Sequence, residues 1–153
     1  AQWLNSVAGA YTEMSKTEMD MLAAEGYIRT NNLPAAIALV NVTRARNGLD
    51  AIGSVASATA AYSTNLATCV PRVPVAPNFT STACGGLLEA MKYEKRIETA
   101  YTGYFIWFSD NRGWGDLVEG TPVEWPVPYQ EMQARQKTYY NGTNRAPRGT
   151  YGF

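Results

Sequence analysis

The sequence predicts a mainly α-helical protein, in which a tetratricopeptide-like helical hairpin packs on an irregular, loop-rich region. Apolar residues at helical spacing in two stretches, about 15–30 and 34–47, predict the hairpin. A third such stretch, about 86–101, predicts a closing helix. With 153 residues, of which 46% are hydrophobic, the chain can form one domain with a core. We divide that domain into a hairpin region (1–50), a loop insertion (51–86) and a closing helix with a C-terminal wrap (87–153).

The first predicted helix begins with a capping-box pattern, since Ser15 stands three residues before Glu18. It ends at the pair Asn31-Asn32. Its predicted apolar side consists of Met19, Leu22, Ala23, Gly26 and Tyr27.

The second predicted helix has Pro34 in its first turn, where the missing N–H is tolerated, and stops at Asn47-Gly48. It is expected to bury Ile37, Val40 and Val42, while alanines allow close approach of the two helices. One hairpin cannot bury both of its faces, and no second copy follows at an offset of about 34 residues. Neighbours must come from an earlier helix implied by Trp3, Leu4 and Val7, from the region 88–108, or from another polypeptide.

Residues 53–86 are rich in Ser, Thr and Pro and contain both cysteines, Cys69 and Cys84. Pro71, Pro74 and Pro77 favour extended, polyproline-like backbone. Long loops are functional, disordered or crosslinked. A disulfide closing a loop of about 15 residues stabilises the fold by roughly 3 kcal/mol and implies an oxidising compartment. The alternative is two unpaired cysteines that act as small hydrophobic residues, and the loop context favours the disulfide.

Residues 88–128 combine a charged helix with three of the four tryptophans. We expect this region to form a buried or half-buried knot of ions and aromatic rings, because so much apolar surface is unfavourable in water. The apolar side of its helix is predicted to contain Leu87, Leu88, Met91, Ile97 and Tyr101. A rigid extended segment around Trp125–Pro128, a short helix near 129–136 and an irregular surface wrap over 138–153 are predicted to follow.

Composition excludes several classes of function. The formal net charge is zero, which argues against a nucleic-acid partner. The chain has no histidine, so histidine-based triads and most zinc or copper sites are excluded. We therefore expect no metal and no cofactor. No run approaches 18 apolar residues, which predicts no membrane span, and the first residues lack a signal-peptide pattern.

The order of several motifs resembles the C-terminal part of the SusD/RagB family, outer-membrane lipoproteins that act in nutrient uptake. The first motif is N-x-x-R-x-R-x-G-L, at Asn41–Leu49. The later ones are E-x-R-x-E at Glu94–Glu98, then Trp107-Phe108, Asp110, Arg112, Trp114-Gly115 and Pro126-Val127-Pro128. The resemblance covers roughly residues 15–136. Family members are several hundred residues long and carry a lipidated N-terminal cysteine, so we expect a fragment, a processed product or a shortened relative.

The resemblance implies a SusD-type C-terminal region and a non-enzymatic binding or docking role at the periplasm or outer-membrane surface. The implied partner is a TonB-dependent transporter or another membrane-embedded complex, with a glycan or peptide as a further ligand. The alternative is a structural accessory subunit that braces a larger membrane complex from the periplasmic side. An enzyme is disfavoured, because the sequence has no histidine and no nucleophile motif.

Two groups of residues are candidates for sites. Glu94, Arg96, Glu98, Asp110 and Arg112 could form a paired-carboxylate hydrolase site, but the interleaved arginines favour a structural ion network. Trp125, Tyr129 and Trp114 are the candidate ligand-binding residues, because aromatic faces stack on sugar rings. For Trp107 and Trp114 the alternative of packing in the core is favoured.

Overall fold

The computed structural model describes residues 14–123, 125, 127–138 and 145–146. Within them the chain is mainly α-helical, as predicted, with one small antiparallel sheet. The elements are α1 Lys16–Arg29, α2 Leu33–Arg46, β1 Arg72–Pro74, β2 Thr82–Cys84, α3 Leu87–Glu98, α4 Ile106–Trp114 and α5 Tyr129–Ala134. The chain divides into two compact units, Ala1–Trp107 and Phe108–Phe153. The predicted early helix around Trp3, Leu4 and Val7 lies outside the described residues.

Both ends of α1 form through local side-chain and turn chemistry. The hydroxyl of Ser15 accepts a hydrogen bond from the backbone N–H of Glu18 at 3.0 Å, which confirms the predicted N-cap. At the other end Asn31 adopts a left-handed backbone with φ of 60°, and the N–H of Asn32 donates to the carbonyl of Tyr27. This arrangement is a Schellman motif, which ends a helix.

The second helix ends in the same way, with a glycine at the left-handed position. The N–H groups of Gly48 and Leu49 donate to the carbonyls of Ala45 and Arg44, respectively. Gly48 has φ of 70°, and a Cβ added there meets no atom within 4 Å. The need for glycine is therefore conformational and not steric.

The core of the first unit lies where α1, α2 and α3 pack against one another. Its apolar buried residues from these helices are Met21, Ala24, Ile28, Ala36, Val40, Leu87, Ala90 and Met91. The apolar side that the sequence indicates for α1 is not the side that packs inward. All five residues of that side (Met19, Leu22, Ala23, Gly26 and Tyr27) are exposed. Apolar residues occupy both sides of this helix, so spacing alone could not decide which side packs inward.

The predicted faces of α2 and α3 were correct only in part. Val40 is buried as expected, whereas Val42 is exposed and Ile37 is half-buried. In α3, Leu87 and Met91 are buried, but Ile97 is exposed and Tyr101 lies beyond the helix end. Their places on the inward sides are taken by polar residues, namely Thr43, Arg44, Lys92, Glu94 and Lys95.

The loop insertion is crosslinked, as predicted. Cys69 and Cys84 form a disulfide with a Cα–Cα distance of 5.7 Å. Beside it, β1 and β2 pair antiparallel, with Arg72 opposite Cys84 and Pro74 opposite Thr82. The expected polyproline-like stretch therefore contains a short strand, and the bonds before Pro71 and Pro77 are cis.

Hydrogen bonds from a side chain of α2 and from the backbone of α3 join the insertion to the helices. The side chain of Asn41 in α2 brackets Ile52, donating to its carbonyl and accepting from its N–H, both at 2.9 Å. The N–H of Leu88 in α3 donates to the carbonyl of Ala58. Gly86 lies so close to Ala58 that a Cβ added to Gly86 would be 2.6 Å from the Ala58 carbonyl oxygen. Glycine is therefore required at the start of α3.

The second unit contains α4 from Phe108 onward, α5 and a short bridge between Pro122 and Arg145. The helix α4 was not predicted, because its aromatic and Asn-Arg-Gly composition is typical of a loop. It ends at Gly115, with φ of 82°, in a third Schellman motif. The predicted short helix is present as α5. Most of the predicted tail wrap, together with Glu124 and Pro126, lies outside the described residues.

Candidate docking surfaces

Arg44, on the inward side of α2, is the polar centre of the first unit. Its side chain has no exposed surface. Its Nε donates to the carbonyl of Asp50 at 2.8 Å and its Nη1 to that of Val70 at 2.6 Å. Its Nη2 donates to the hydroxyl of Tyr62 at 3.0 Å, and the guanidinium lies 5.1 Å from the centre of that ring. One side chain thus holds the insertion against the helices.

Glu94 of α3 faces this arginine in the same buried environment. Its Oε1 lies 3.5 Å from Arg44 Nη1, and its side chain is 1% exposed. Burial raises the pKa of Glu94, since desolvation disfavours the charged carboxylate, while the charge of Arg44 acts in the opposite direction. The shortest hydrogen bonds of Arg44 go to backbone carbonyls, so its charge compensates Glu94 only in part.

The second carboxylate of α3 pairs with α2 at the surface. Glu98 lies 2.5 Å from Arg46 and accepts from Asn47 at 3.1 Å. The E-x-R-x-E and N-x-x-R-x-R-x-G-L motifs therefore meet, carboxylate to arginine, across the α2–α3 contact.

The other residues of the predicted ion network lie elsewhere. Arg96 is half-buried in α3. Asp110 and Arg112 belong to α4 in the second unit, where Asp110 is half-buried and Arg112 exposed.

This geometry disfavours a hydrolase site on α3. A glycosidase needs two carboxylates that flank a substrate, and Glu94 is enclosed by protein. Its partners fix it against α2 and leave no access for a sugar ring. In the part of the chain that the structure describes, no group of three or more metal-binding side chains is present. The arrangement holds α2, α3 and the insertion together.

The exposed side of α1 is a continuous apolar stripe, which we call the α1 face: Met19, Leu22, Ala23, Gly26 and Tyr27. These residues recur at helical spacing and therefore lie along one side of the helix. Ion pairs between Lys16 and Asp20 and between Glu25 and Arg29 border it on its two sides. An apolar centre with a charged rim is the composition of a protein-binding surface.

A second exposed apolar region, which we call the aromatic loop (Tyr101–Trp107), consists of the connection that follows α3 and the first two residues of α4. Four of its seven residues are aromatic. Tyr101 is 90% exposed and Tyr104 93%, and Phe105 and Trp107 are exposed as well. The expected burial of this aromatic cluster was therefore wrong, whereas the expected burial of charges is found at Glu94 and Lys95.

The three predicted ligand-binding aromatics all lie in the second unit. Trp114, the last residue of α4, is half-buried. Trp125 is 76% exposed, and Tyr129, at the start of α5, is exposed too. Next to Trp114, the residues Phe108, Ser109, Arg112 and Gly113 line a shallow, open depression on α4.

Comparison of this chain with models of protein families, with curated proteins and with solved structures finds no match. Among the described helices, none has the length and apolar character needed to cross a membrane.

Sequence reasoning missed the role of Arg44, although a signal for it was present. Arg44 follows Ala36 and Val40 at a spacing of four residues, so it shares their side of α2. An arginine on the apolar side of a helix needs buried acceptors. Carbonyls of the insertion supply them here, and no residue type in the insertion indicates that its backbone will do so.

Proposed function

We propose that this chain is a non-enzymatic docking protein of the bacterial envelope, which binds a membrane-embedded protein partner through the α1 face. The exposure of that face is the observation that carries the proposal. Soluble proteins usually bury a helix side with five apolar or small residues in register. In this chain the opposite side of α1, with Met21, Ala24 and Ile28, packs inward instead.

The chemistry of the α1 face suits a helix or sheet surface of another protein. Met19 is an unbranched, adaptable apolar side chain, Leu22 adds aliphatic surface, and Tyr27 adds an aromatic ring with a polar tip. Gly26 and Ala23 leave space between them, so a partner backbone can approach closely. The charged pairs at the border would stay hydrated at the rim of the interface.

The resemblance to the SusD/RagB family supports the same role. Such a chain would be the C-terminal part of a lid over a TonB-dependent transporter, at the periplasm or outer-membrane surface. A tetratricopeptide-like identity for the α1–α2 hairpin fits this assignment, because two helices of 14 residues each are joined by a short turn. The disulfide is consistent with an oxidising compartment. Trp125, Tyr129 and Trp114 would contact the glycan or peptide.

The second candidate is a structural accessory subunit that braces a larger membrane complex from the periplasmic side. The apolar character of the α1 face favours it, because permanent interfaces are more hydrophobic than transient ones. The two candidate functions differ in how long the complex with the membrane partner lasts and in whether the chain binds a glycan. A lid releases its partner and binds glycan, whereas an accessory subunit stays bound and does not.

Capture from detergent-solubilised native membranes tests the proposal. We would compare the wild type with Met19→Ser/Leu22→Ser/Tyr27→Ser, in which the α1 face becomes polar. The matched control is Leu66→Ser/Val75→Ser, which removes equally exposed apolar side chains from the insertion. Thermal unfolding of all three proteins shows whether they remain folded.

We expect the wild type and the control to capture the same membrane protein and the α1-face variant to lose it. Equal capture by the α1-face variant would overturn the proposal. If the α1-face variant does lose the partner, a second experiment separates the two candidate functions. Quenching of tryptophan fluorescence by oligosaccharides, lost in Trp125→Ala, would support the lid, and no quenching would support the accessory subunit.

A further inference from the structure

The aromatic loop is chemically unlike a disordered linker or a polar turn. Between Glu98 and Asp110 the chain has no charged residue, and Ile106 adds to the apolar surface of the four aromatic rings. The nearest preceding charge, that of Glu98, is already paired with Arg46. The loop therefore presents an exposed, uncharged surface whose tyrosine and tryptophan rings carry a polar atom at one end.

The way the tyrosine rings project favours a fluid partner over a folded one. Tyr101 and Tyr104 are so exposed that each ring makes few contacts with its own chain. The core of a protein interface is a surface packed at interior density, with the anchor side chains seated in pockets. The boundary between lipid headgroups and acyl chains instead moulds itself around each separate ring. Tyrosine and tryptophan are enriched at this boundary.

The donors of Thr102, and of Ala100 just before the loop, are paired within the chain. Ala100 N–H donates to the carbonyl of Ile97, and Thr102 donates to that of Thr99 through both its N–H and its hydroxyl. Groups paired in this way need no water when they are transferred into an apolar phase.

Two bulky residues of the loop adopt left-handed backbone, Tyr101 with φ of 68° and Phe105 with φ of 63°. This conformation is unfavourable for side chains of that size, and such residues cluster at functional sites. Burial offsets little of the cost here, since both residues are exposed.

We propose that the aromatic loop inserts into the interfacial region of a lipid bilayer, as a shallow contact that does not cross it. The hydroxyls of Tyr101 and Tyr104 would lie among the headgroups, with Phe105 and Ile106 deeper. With no cationic residue in the loop, the attraction does not depend on anionic lipid. This lipid contact is separate from the protein partner of the α1 face.

Sedimentation with protein-free phosphatidylcholine vesicles tests the inference. The variant Tyr101→Ser/Tyr104→Ser removes the two most exposed rings and should remain folded, because neither ring packs in the core. The matched control, Leu66→Ser/Val75→Ser, removes two exposed apolar side chains that belong to neither the aromatic loop nor the α1 face. Thermal unfolding of each protein verifies its fold.

We expect the wild type and the control to bind the vesicles equally at low and at high salt, and the loop variant to bind about tenfold more weakly. Three results would overturn the inference: no binding by the wild type, equal binding by the loop variant, or binding that needs anionic lipid and disappears at high salt. Loss of binding by the loop variant to native membranes alone, with none to vesicles, would assign the loop to a protein partner. Because the vesicles contain no protein, failure here leaves the role of the α1 face unaffected.

Discussion

The Arg44–Glu94 pair and the aromatic loop reverse the usual distribution of charge and apolar surface. A guanidinium and a carboxylate are enclosed in the first unit, while tyrosine, phenylalanine and tryptophan of the same unit face solvent. The difference shows that hydrogen-bond partners decide burial in this chain as much as hydropathy does. Arg44 has acceptors at Asp50, Val70 and Tyr62, so its desolvation is offset.

The aromatic loop differs because its position in the chain keeps it from the core. It begins where α3 ends, and the side of α3 that precedes it, at Ile97 and Ala100, is already exposed. The core made by α1, α2 and α3 is filled by shorter side chains such as Met21, Val40 and Leu87. Large rings placed after the helix end have no cavity there to fill.

The largest expected effect comes from breaking the buried pair. Arg44→Met removes the side-chain donor to Asp50 and one of the two donors to Val70, the other being the Tyr62 hydroxyl, and it leaves Glu94 with no positive partner at that position. We expect the free energy of unfolding, measured by urea denaturation, to fall by about 3–5 kcal/mol. The loss should be smaller at acid pH, where a protonated Glu94 needs no counter-charge.

The neighbouring arginine provides the matched control. Arg46 pairs with Glu98 at the surface, and its side chain is half exposed, so Arg46→Met should cost less than about 1 kcal/mol. If the two substitutions were equally destabilising, enclosure of the pair would not be what makes Arg44 important.

A smaller effect is expected from the titration of Glu94. Its pKa is raised in the folded state by burial, so the native protein holds this proton more tightly than the unfolded chain. Its contribution to stability is therefore fully present below the pKa of the unfolded carboxyl and is lost as pH rises through the raised pKa. Glu94→Gln keeps the neutral form at every pH. Urea denaturation from acid to neutral pH should show the wild type losing stability relative to this variant, and a difference that does not change with pH would contradict the assignment.

The smallest effect concerns the backbone of the aromatic loop. Tyr101→Gly removes the energetic cost of holding a bulky residue in the left-handed conformation. It also removes a ring that contributes little to packing. We expect thermal unfolding to report a gain of about 0.5–1 kcal/mol, in contrast to every substitution in the buried pair. Gly48→Ala is the converse control and should cost about 1 kcal/mol or more, because φ there is also left-handed. Destabilisation by Tyr101→Gly would mean that the ring packs in solution.

The sequence was most informative where local rules decide the structure. Ser15, Pro34 and Gly48 marked helix ends correctly, and the two cysteines predicted their own disulfide. It was least informative about orientation. The choice between the two apolar sides of α1 depends on which one finds α2 and α3, and periodicity does not contain that information.

The candidate surfaces were predictable in composition and not in exposure. The sequence identifies the exposed residues Trp125 and Tyr129 as candidates for ligand binding, whereas it predicts Tyr101 and Tyr104 in a buried or half-buried cluster, and both are exposed. Whether a ring is buried depends on the space left by residues distant in sequence. The same holds for Arg44, whose acceptors at Asp50 and Val70 are backbone carbonyls that any residue could supply.

Because the insertion is attached to the helices at Ile52 and at Val70, the chain between these two residues can change in length at little cost. Asn41 holds Ile52, and Arg44 together with Tyr62 holds Val70. The exposed stretch 64–68 lies between these anchors and takes no part in the helical core. Doubling the length of a flexible loop costs only about 0.6 kcal/mol in closure entropy. We therefore expect the chain to tolerate insertions there, and an epitope or fluorophore-binding peptide placed at this site would leave the α1 face and the aromatic loop intact.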